Sequence, residues 1–238
     1  MSAPALRTFT PRVFVLVTLA AAIALGALVA VPQWLSKQTR LEVLRAHVAQ
    51  LAQLAAAVVD GDAHRELLDP GRYTPALYDR VVEPLARFHA ASPGIIHAYT
   101  LVERAGRPYF VVDTAASRAL ATRRAPSYLE EFRLVDEERD VRWLERIAHG
   151  ETWVAPGFRQ HEYGHLLAAY TPIYDSEGRY SGFVGVDYDV QAYLAQEAEF
   201  RVLFTGTLSA AMMVAILIGW LAARRPVHPQ QGASTASH

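Results

Sequence analysis

The sequence predicts an α+β domain, built on an antiparallel sheet and flanked by two transmembrane helices. Residues 13–31 and 202–223 are uncharged apolar runs, each long enough to span a ~30 Å hydrocarbon core. Between them, short segments rich in Ile, Val, Tyr and Phe are joined by polar turns, as in hairpin-linked strands. Such strands form an antiparallel sheet, and we expect the helices of the domain to pack on one side of it.

The charges that flank the two runs predict their orientation. Arg7 and Arg12 precede the first run, whereas Arg224 and Arg225 follow the second. Because short flanks rich in arginine stay in the cytoplasm, both termini are expected to be cytoplasmic. A cleaved signal peptide is the alternative for the first run, but its apolar core exceeds the usual ~7–15 residues. The predicted organisation is a cytoplasmic N-terminus at 1–12, spans at 13–32 and 202–223, a periplasmic domain at 33–201, and a disordered cytoplasmic tail at 224–238.

Composition excludes several classes of function. The chain has no cysteine, and all 24 acidic residues lie between the two apolar runs. Thiol catalysis, disulfides and cysteine–zinc sites are therefore excluded. The acidic balance of the middle region also provides no electrostatic surface for nucleic acid.

The periplasmic region is predicted to open with helices. Asp60-Gly61-Asp62 ends the first helix, and a short helix follows near 63–68. Thr74 can cap a further helix that has Pro75 at its first position and ends near Ala91. The first helix carries apolar residues at a and d spacing, which either pack on their own domain or form the seam of a homodimer: Leu41, Leu44, Val48, Leu51, Ala55 and Val58.

Strand patterns follow the helices. Turns at 104–107 and 175–178 each join two strands into a hairpin, and residues 114–126 read as a loop. A helix is predicted over 128–149, and 191–201 is predicted to be a helix that continues into the second span. The predicted strands cover residues 95–103, 108–113, 152–155, 166–174 and 180–189.

The last hairpin resembles a known family. It reads Ala169-Tyr-Thr-Pro-Ile-Tyr-Asp-Ser-Glu-Gly-Arg-Tyr-Ser-Gly-Phe-Val-Gly-Val-Asp-Tyr-Asp189, and it resembles the closing hairpin of Cache domains. These are PAS-like extracellular sensor domains of bacterial histidine kinases, chemoreceptors and cyclases. The residues 60–64, 99–100 and 110–113 are similar to the single-module subset that precedes kinase or diguanylate cyclase modules, and the likeness covers about 35–195.

The resemblance implies a five-stranded sheet whose concave face binds a small ligand. Long helices would connect this sheet to the membrane, and a shift of the final strand would be passed on through 191–201. Receptors of this kind usually carry a cytoplasmic enzyme, whereas only residues 224–238 follow the second span here. The signal is therefore expected to reach a partner such as a kinase or cyclase, or a missing output module.

One motif points to a different function. His161-Glu162-Tyr163-Gly164-His165 matches H-E-x-x-H, in which two histidines one helical turn apart hold zinc and the glutamate acts as general base. This reading needs a helix, and Gly164 disfavours one by about 1 kcal/mol. The Cache resemblance instead places these residues in a loop and at the start of a strand.

The candidate ligand residues come from strand alternation and from the resemblance. Asp187 shares one strand face with Gly185 and Asp189, and in Cache domains that bind amines or amino acids an aspartate of the final strand contacts the ammonium group. Asp113 is a second strand-end carboxylate, and a capping role is the alternative for both. The aromatic residues expected to line a pocket, or to pack in the core, are Tyr99, Tyr109, Trp153 and Tyr170.

Arg133 and Arg159 can each receive a carboxylate, although exposure on the surface is the expectation for both. Together these residues predict a non-enzymatic sensor, without a cofactor, for an amino acid, an amine or a carboxylate. A homodimer in the bacterial inner membrane is expected. An envelope zinc hydrolase and a double-anchored structural domain without a ligand are the alternatives.

Overall fold

The computed structural model describes residues 7–9, 11–117, 120, 124–133, 142–161 and 164–226. The chain divides into two units, one formed by residues 1–39 and 196–238 and the other by residues 40–195.

The first unit contains the apolar parts of two long helices. Helix α1 covers Pro11–Val58 and helix α5 covers Gln191–Ala223, and by length and composition both are able to cross a membrane. Strands β1, Arg7–Phe9, and β8, Arg224–Pro226, form an antiparallel pair. The predicted disordered tail therefore begins with a strand, and its residues 227–238 lie outside the described part of the chain.

The second unit begins with helices whose ends follow the sequence signals. Asp60 accepts a hydrogen bond from Ala63 N at 2.9 Å and caps α2, Gly61–Leu67. Thr74 accepts from Leu77 N at 3.2 Å and caps α3, Pro75–Ala91, with Pro75 in the first turn. A single 3-10 turn at Pro70–Arg72 lies between α2 and α3, and another lies later in the chain at Thr114–Ala116.

The remaining elements form an antiparallel sheet and one short helix. The sheet has six strands: the order is β3-β2-β7-β6-β4, and β5, which pairs with β6, is additional to the five strands that were predicted. Hairpin-linked strands with helices make this an α+β fold, as predicted. The strands are β2 (Ile95–Arg104), β3 (Arg107–Asp113), β4 (Trp153–Val154), β5 (Arg159–His161), β6 (Gly164–Tyr174) and β7 (Tyr180–Asp189), and the helix is α4 (Arg142–Ala148).

Register divides the sheet into two faces. Gly185 of β7 lies opposite both Tyr99 and Tyr170, and residues directly opposite one another in a ladder project to the same side. Side-chain alternation then places Asp187 on that side as well. We call it the Asp187 face. The opposite face carries Thr100, which contacts His64 of α2, and Tyr188, whose ring contacts that of His47 of α1.

Two expectations about the helices are wrong. The helices do not all lie on one side, because Trp143 of α4 stacks on Tyr170 of the Asp187 face, with ring centroids 4.8 Å apart. The helix predicted over 128–149 does not begin at 128, because residues 128–129 form a turn and Glu131 makes a bridge to Tyr109 of β3. Within the described residues of that range the helix is α4, Arg142–Ala148, and 134–141 lie outside the described part of the chain.

The apolar stripe of α1 packs within its own domain. Val48 and Ala55 are fully buried, and Leu44 and Leu51 are partly buried against the same core. Burial of these side chains stabilises the unit. Of the two readings of this stripe, packing on its own domain therefore holds for these four residues, whereas Val58 at its end is exposed. The homodimer stays a prediction.

Candidate functional site

The Asp187 face carries a buried ion pair. Arg159 Nη2 lies 3.0 Å from Asp187 Oδ1. The two side chains are only 12% and 8% exposed, so water screens their interaction weakly. Arg159 was expected on the surface, but the pairing of β5 with β6 places it over the sheet. Arg133 is exposed, as expected.

Two tyrosine hydroxyls complete the polar part of the site. Tyr99 donates its hydroxyl proton to Asp187 Oδ1 at 3.2 Å, and Arg159 Nη2 donates to the Tyr170 hydroxyl at 3.1 Å. The hydroxyl oxygens of Tyr99 and Tyr170 are 3.4 Å apart. The structure thus brings together three residues predicted for the site and adds Arg159.

Glycine at position 185 makes this arrangement possible. A Cβ atom at Gly185 would lie 2.3 Å from Tyr99 Cε2 and 3.0 Å from Tyr170 Cε1. Such separations are shorter than ordinary carbon contacts. The two tyrosine rings therefore lie over the position that a larger side chain would occupy.

Aromatic rings surround the polar groups. Phe132 lies with its centroid 5.6 Å from that of Tyr99, and the Arg159 guanidinium carbon is 5.9 Å from the centroid of Phe132. On the other side, Trp143 stacks on Trp153 with centroids 5.0 Å apart. An apolar surround with a few convergent polar groups is the usual composition of a small-molecule site.

The sequence identified only part of this aromatic set. Trp153 belongs to it, as predicted. Tyr109 does not, because it pairs with Val102, whereas its neighbour Phe110 pairs with Leu101 on the Asp187 face. Phe110 contacts Tyr99 at a centroid distance of 5.4 Å. A register shift between Thr100 and Leu101 brings Phe110 to the face of Asp113, where simple alternation along β3 would have placed Tyr109. Phe132 and Trp143 come from segments outside the sheet.

Asp113 has a structural partner at the end of β3. It is 1% exposed, and its carboxylate accepts a hydrogen bond from Ala115 N at 2.8 Å, which caps the following turn. Its own backbone N–H donates to the Tyr78 hydroxyl at 3.2 Å. Burial raises the pKa of Tyr78 to about 12. In register Asp113 lies across from Tyr99, so it borders the site and caps a turn.

The two histidines of the H-E-x-x-H motif lie on strands. His161 ends β5, His165 lies in β6, and Gln160 is the residue opposite His165. The helix that the zinc reading requires is therefore wrong for these histidines, and Glu162 lies outside the described residues. Within the described ranges, no group of three or more His, Asp or Glu side chains is placed to hold a metal ion.

A second buried cluster lies on the opposite face of the sheet. His64 is fully buried, with its ring nitrogens 2.8 Å from Thr100 Oγ1 and 3.2 Å from Ser181 Oγ. Ser181 also donates to Gly61 O at 3.1 Å. Burial lowers the pKa of His64 to about 4. This histidine connects α2 with β2 and β7 and contributes to the core.

No family model matches the chain, and no curated protein matches it. Several solved structures are similar to it, and their names describe sensory or ligand-binding domains. The chain is 15% identical to the sensory domain of the Campylobacter jejuni chemoreceptor Tlp3. The match covers 77% of this chain and 66% of that one, with a TM-score of 0.41.

Two further structures show the same degree of likeness. The ligand-binding domain of Tlp3 in complex with L-valine is 14% identical, with 77% of this chain and 65% of that one covered and a TM-score of 0.40. An extracellular ligand binding receptor from Desulfohalobium retbaense is 16% identical, with 69% and 26% covered and a TM-score of 0.34. The chain thus spans less than two thirds of the length of these structures. A likeness at this distance carries no argument about ligand or activity.

Proposed function

We propose that this chain is a membrane-anchored periplasmic sensor that binds a small molecule on the Asp187 face. The observation that carries this proposal is the buried pair of Arg159 and Asp187 within an aromatic surround. Stability alone does not account for such a pair, because replacing a buried ion pair by well-packed apolar residues is often neutral or stabilising. A role in recognising a charged ligand accounts for the presence of this buried pair.

The chemistry of the pair indicates the class of ligand. The Arg159 guanidinium suits a carboxylate. The Asp187 carboxylate, beside the rings of Tyr99 and Phe132, suits an ammonium group through charge and cation–π attraction. A small zwitterion such as an amino acid carries both groups a few ångströms apart. An amine or a carboxylate would use one half of the same site.

The end of β7 suggests how binding is passed on. Asp187 lies two residues before Asp189, whose carboxylate accepts a hydrogen bond from Gln191 N at 2.8 Å at the start of α5. Val190, which lies between Asp189 and Gln191, is fully buried and donates its N–H to His165 O at 3.1 Å. Little slack separates the strand from the helix. We propose that ligand binding shifts β7 and with it α5, in the manner of known helix shifts of about 1–2 Å.

The membrane topology and the partners follow from this role. We propose a two-pass protein of the bacterial inner membrane with both termini cytoplasmic, because Arg7, Arg12, Arg224 and Arg225 flank the apolar runs. Reporter fusions at the two termini and after residue 120 test this orientation. A homodimer, and a kinase or cyclase as the receiver of the signal, remain predictions. Cross-linking in membranes and co-purification test them.

The experiment that tests the sensor function uses the full chain in nanodiscs. Thermal melts are recorded with amino acids, amines and carboxylates, since a ligand at 100 times its Kd stabilises the folded state by about 2.7 kcal/mol. Asp187→Asn is expected to abolish the shift of the best ligand. Arg159→Met removes the guanidinium of the site. Arg133→Met, at an exposed arginine, is its control. If no compound raises the melting temperature, or if Asp187→Asn retains the full shift, the proposed site is wrong.

A further inference from the structure

His97 lies directly across from Asp187 in the sheet. The register pairs His97 of β2 with Asp187 of β7, and then Tyr99 with Gly185 two positions further along. Residues opposite one another in an antiparallel ladder project to the same face, with Cβ atoms about 4.5–5.5 Å apart. His97 therefore projects to the Asp187 face. Counted over the whole residue, His97 is 7% exposed and Asp187 is 5% exposed.

We infer that His97 is part of the ligand-binding site and that its protonation decides which class of charged ligand the site accepts. This inference rests on the proposed function and specifies its regulation. The neutral imidazole would favour an amine, whereas on a zwitterion the effects at the two ends oppose one another. The imidazolium would favour a carboxylate without an ammonium group.

The charges around His97 give the reason. Among the described residues, the register and the hydrogen bonds place titratable side chains from β2, β3, β5, β6 and β7 on this face. Arg159 of β5 and Asp187 of β7 carry opposite charges and balance one another within their ion pair. Protonation of His97 adds a positive charge beside that pair. The other titratable groups on this face are Tyr99 of β2, Tyr170 of β6, Asp113 of β3 and Asp189 of β7.

A positive charge beside Asp187 has opposite effects on the two ends of a ligand. It competes with a ligand ammonium group for the Asp187 carboxylate, and it adds a second cation for a ligand carboxylate. The interaction of two charges a few ångströms apart is large wherever solvent screens little. Histidine is the side chain whose ordinary titration falls between about pH 5 and 8, a range that a domain outside the cytoplasm meets.

Three probes that share one isobutyl group separate these effects. L-Leucine is the zwitterion, 3-methylbutylamine carries only the ammonium group, and 4-methylpentanoate carries only the carboxylate. Their Kd values are measured by calorimetry with the full chain in nanodiscs at about pH 6 and about pH 8. From the higher to the lower pH, we expect amine affinity to fall about tenfold or more and carboxylate affinity to rise by a similar factor.

Variants assign the effect to one residue. His97→Asn retains a polar side chain but does not titrate, and it is expected to remove the pH dependence for all three probes. His165→Asn, at an exposed histidine of β6, is the control and is expected to leave it intact. The melting temperature of each variant is recorded in parallel, so that a loss of folding is recognised.

The outcomes distinguish this inference from the proposed function. Binding whose pH dependence disappears only in His97→Asn supports both. Binding with the same pH dependence in wild type and His97→Asn overturns the role of His97 and leaves the sensor proposal standing. Failure of every probe and of the wider amino acid, amine and carboxylate set overturns the proposed ligand class, and the role of His97 with it.

Discussion

Arg159 Nη2 and Asp187 Oδ1 are 3.0 Å apart, although 28 residues separate them in the sequence. The same Nη2 atom donates to the Tyr170 hydroxyl at 3.1 Å. Both ions are largely withdrawn from water, so each depends on the other for its charge balance. This relationship makes the Asp187 face a site with two opposite charges in one small area.

Removing one member of this pair is expected to destabilise the domain more than removing both. Arg159→Met leaves a buried carboxylate without its cation, and breaking such a pair costs about 3–5 kcal/mol. Combining Arg159→Met with Asp187→Leu should recover a large part of that loss. Urea unfolding of the full chain measures the three variants. Additive losses in the double variant would show that the two residues act independently.

Gly185→Ala is expected to weaken ligand binding and to lower stability by about 1–3 kcal/mol, because the added methyl group overpacks the site. Its Cβ would collide with the Tyr99 and Tyr170 rings. Gly206→Ala is the matched control, since a Cβ at Gly206 has no heavy atom within 4 Å among the described residues. Equal effects of the two substitutions would contradict the close contact with the tyrosines.

The buried His64 is expected to make stability depend on pH. Its pKa is lowered by burial from 6.5 to about 4 in the folded state. Between these values the unfolded chain binds a proton that the folded chain does not, so stability falls as the pH falls. The expected contribution is about 2 kcal/mol between about pH 7.5 and pH 5.

His64→Gln should flatten that part of the pH profile, even though the variant is less stable overall. Urea midpoints across the range give the slope, and His149→Gln, at an exposed histidine, is the control. An unchanged slope in His64→Gln would assign the pH dependence to other groups.

Close packing of the two apolar helices in the first unit is expected to depend on Gly219. A Cβ at this position would lie 1.8 Å from Thr18 Oγ1 and 3.0 Å from Phe14 O. Small residues allow such approach of membrane helices, and Gly219→Ile should push the helices apart. Gly206→Ile is the matched control.

Because the chain has no cysteine, a pair introduced at Gly26 and Leu208 reports this proximity without background. A Cβ at Gly26 lies 4.0 Å from Leu208 Cδ1. Oxidative cross-linking in membranes should fall several-fold with Gly219→Ile and not with Gly206→Ile. Equal cross-linking in all variants would contradict the packing.

Local patterns in the sequence predicted much of the fold. The end of the first helix before Asp60, the cap at Thr74, the turns of both hairpins and the strand β7, Tyr180–Asp189, appear where the residue patterns indicated them. These features depend on a few neighbouring residues, through capping, backbone preference and side-chain alternation. The helix predicted from 128 failed because a pattern of charges is compatible with both a helix and an extended surface segment.

The site depended on contacts between distant segments. Asp187, Tyr99 and Tyr170 were named from strand alternation and from the family resemblance, because alternation assigns a residue to a face. Arg159 was expected to be exposed, since the sequence does not reveal that a three-residue strand adds to β6 and carries this arginine over the sheet. The ring contributed by Trp143 likewise depends on where α4 packs.

The sequence by itself determined the two apolar runs, the order of the five predicted strands, and the side of β7 on which Asp187 lies, because each is written in local composition and periodicity. Only the tertiary structure decided that the stripe of α1 is used within the domain, that helices cover both sides of the sheet, and that Arg159 and His97 lie beside Asp187. The physical reason is that register and burial are set jointly by all the segments that pack together. No single segment carries that information.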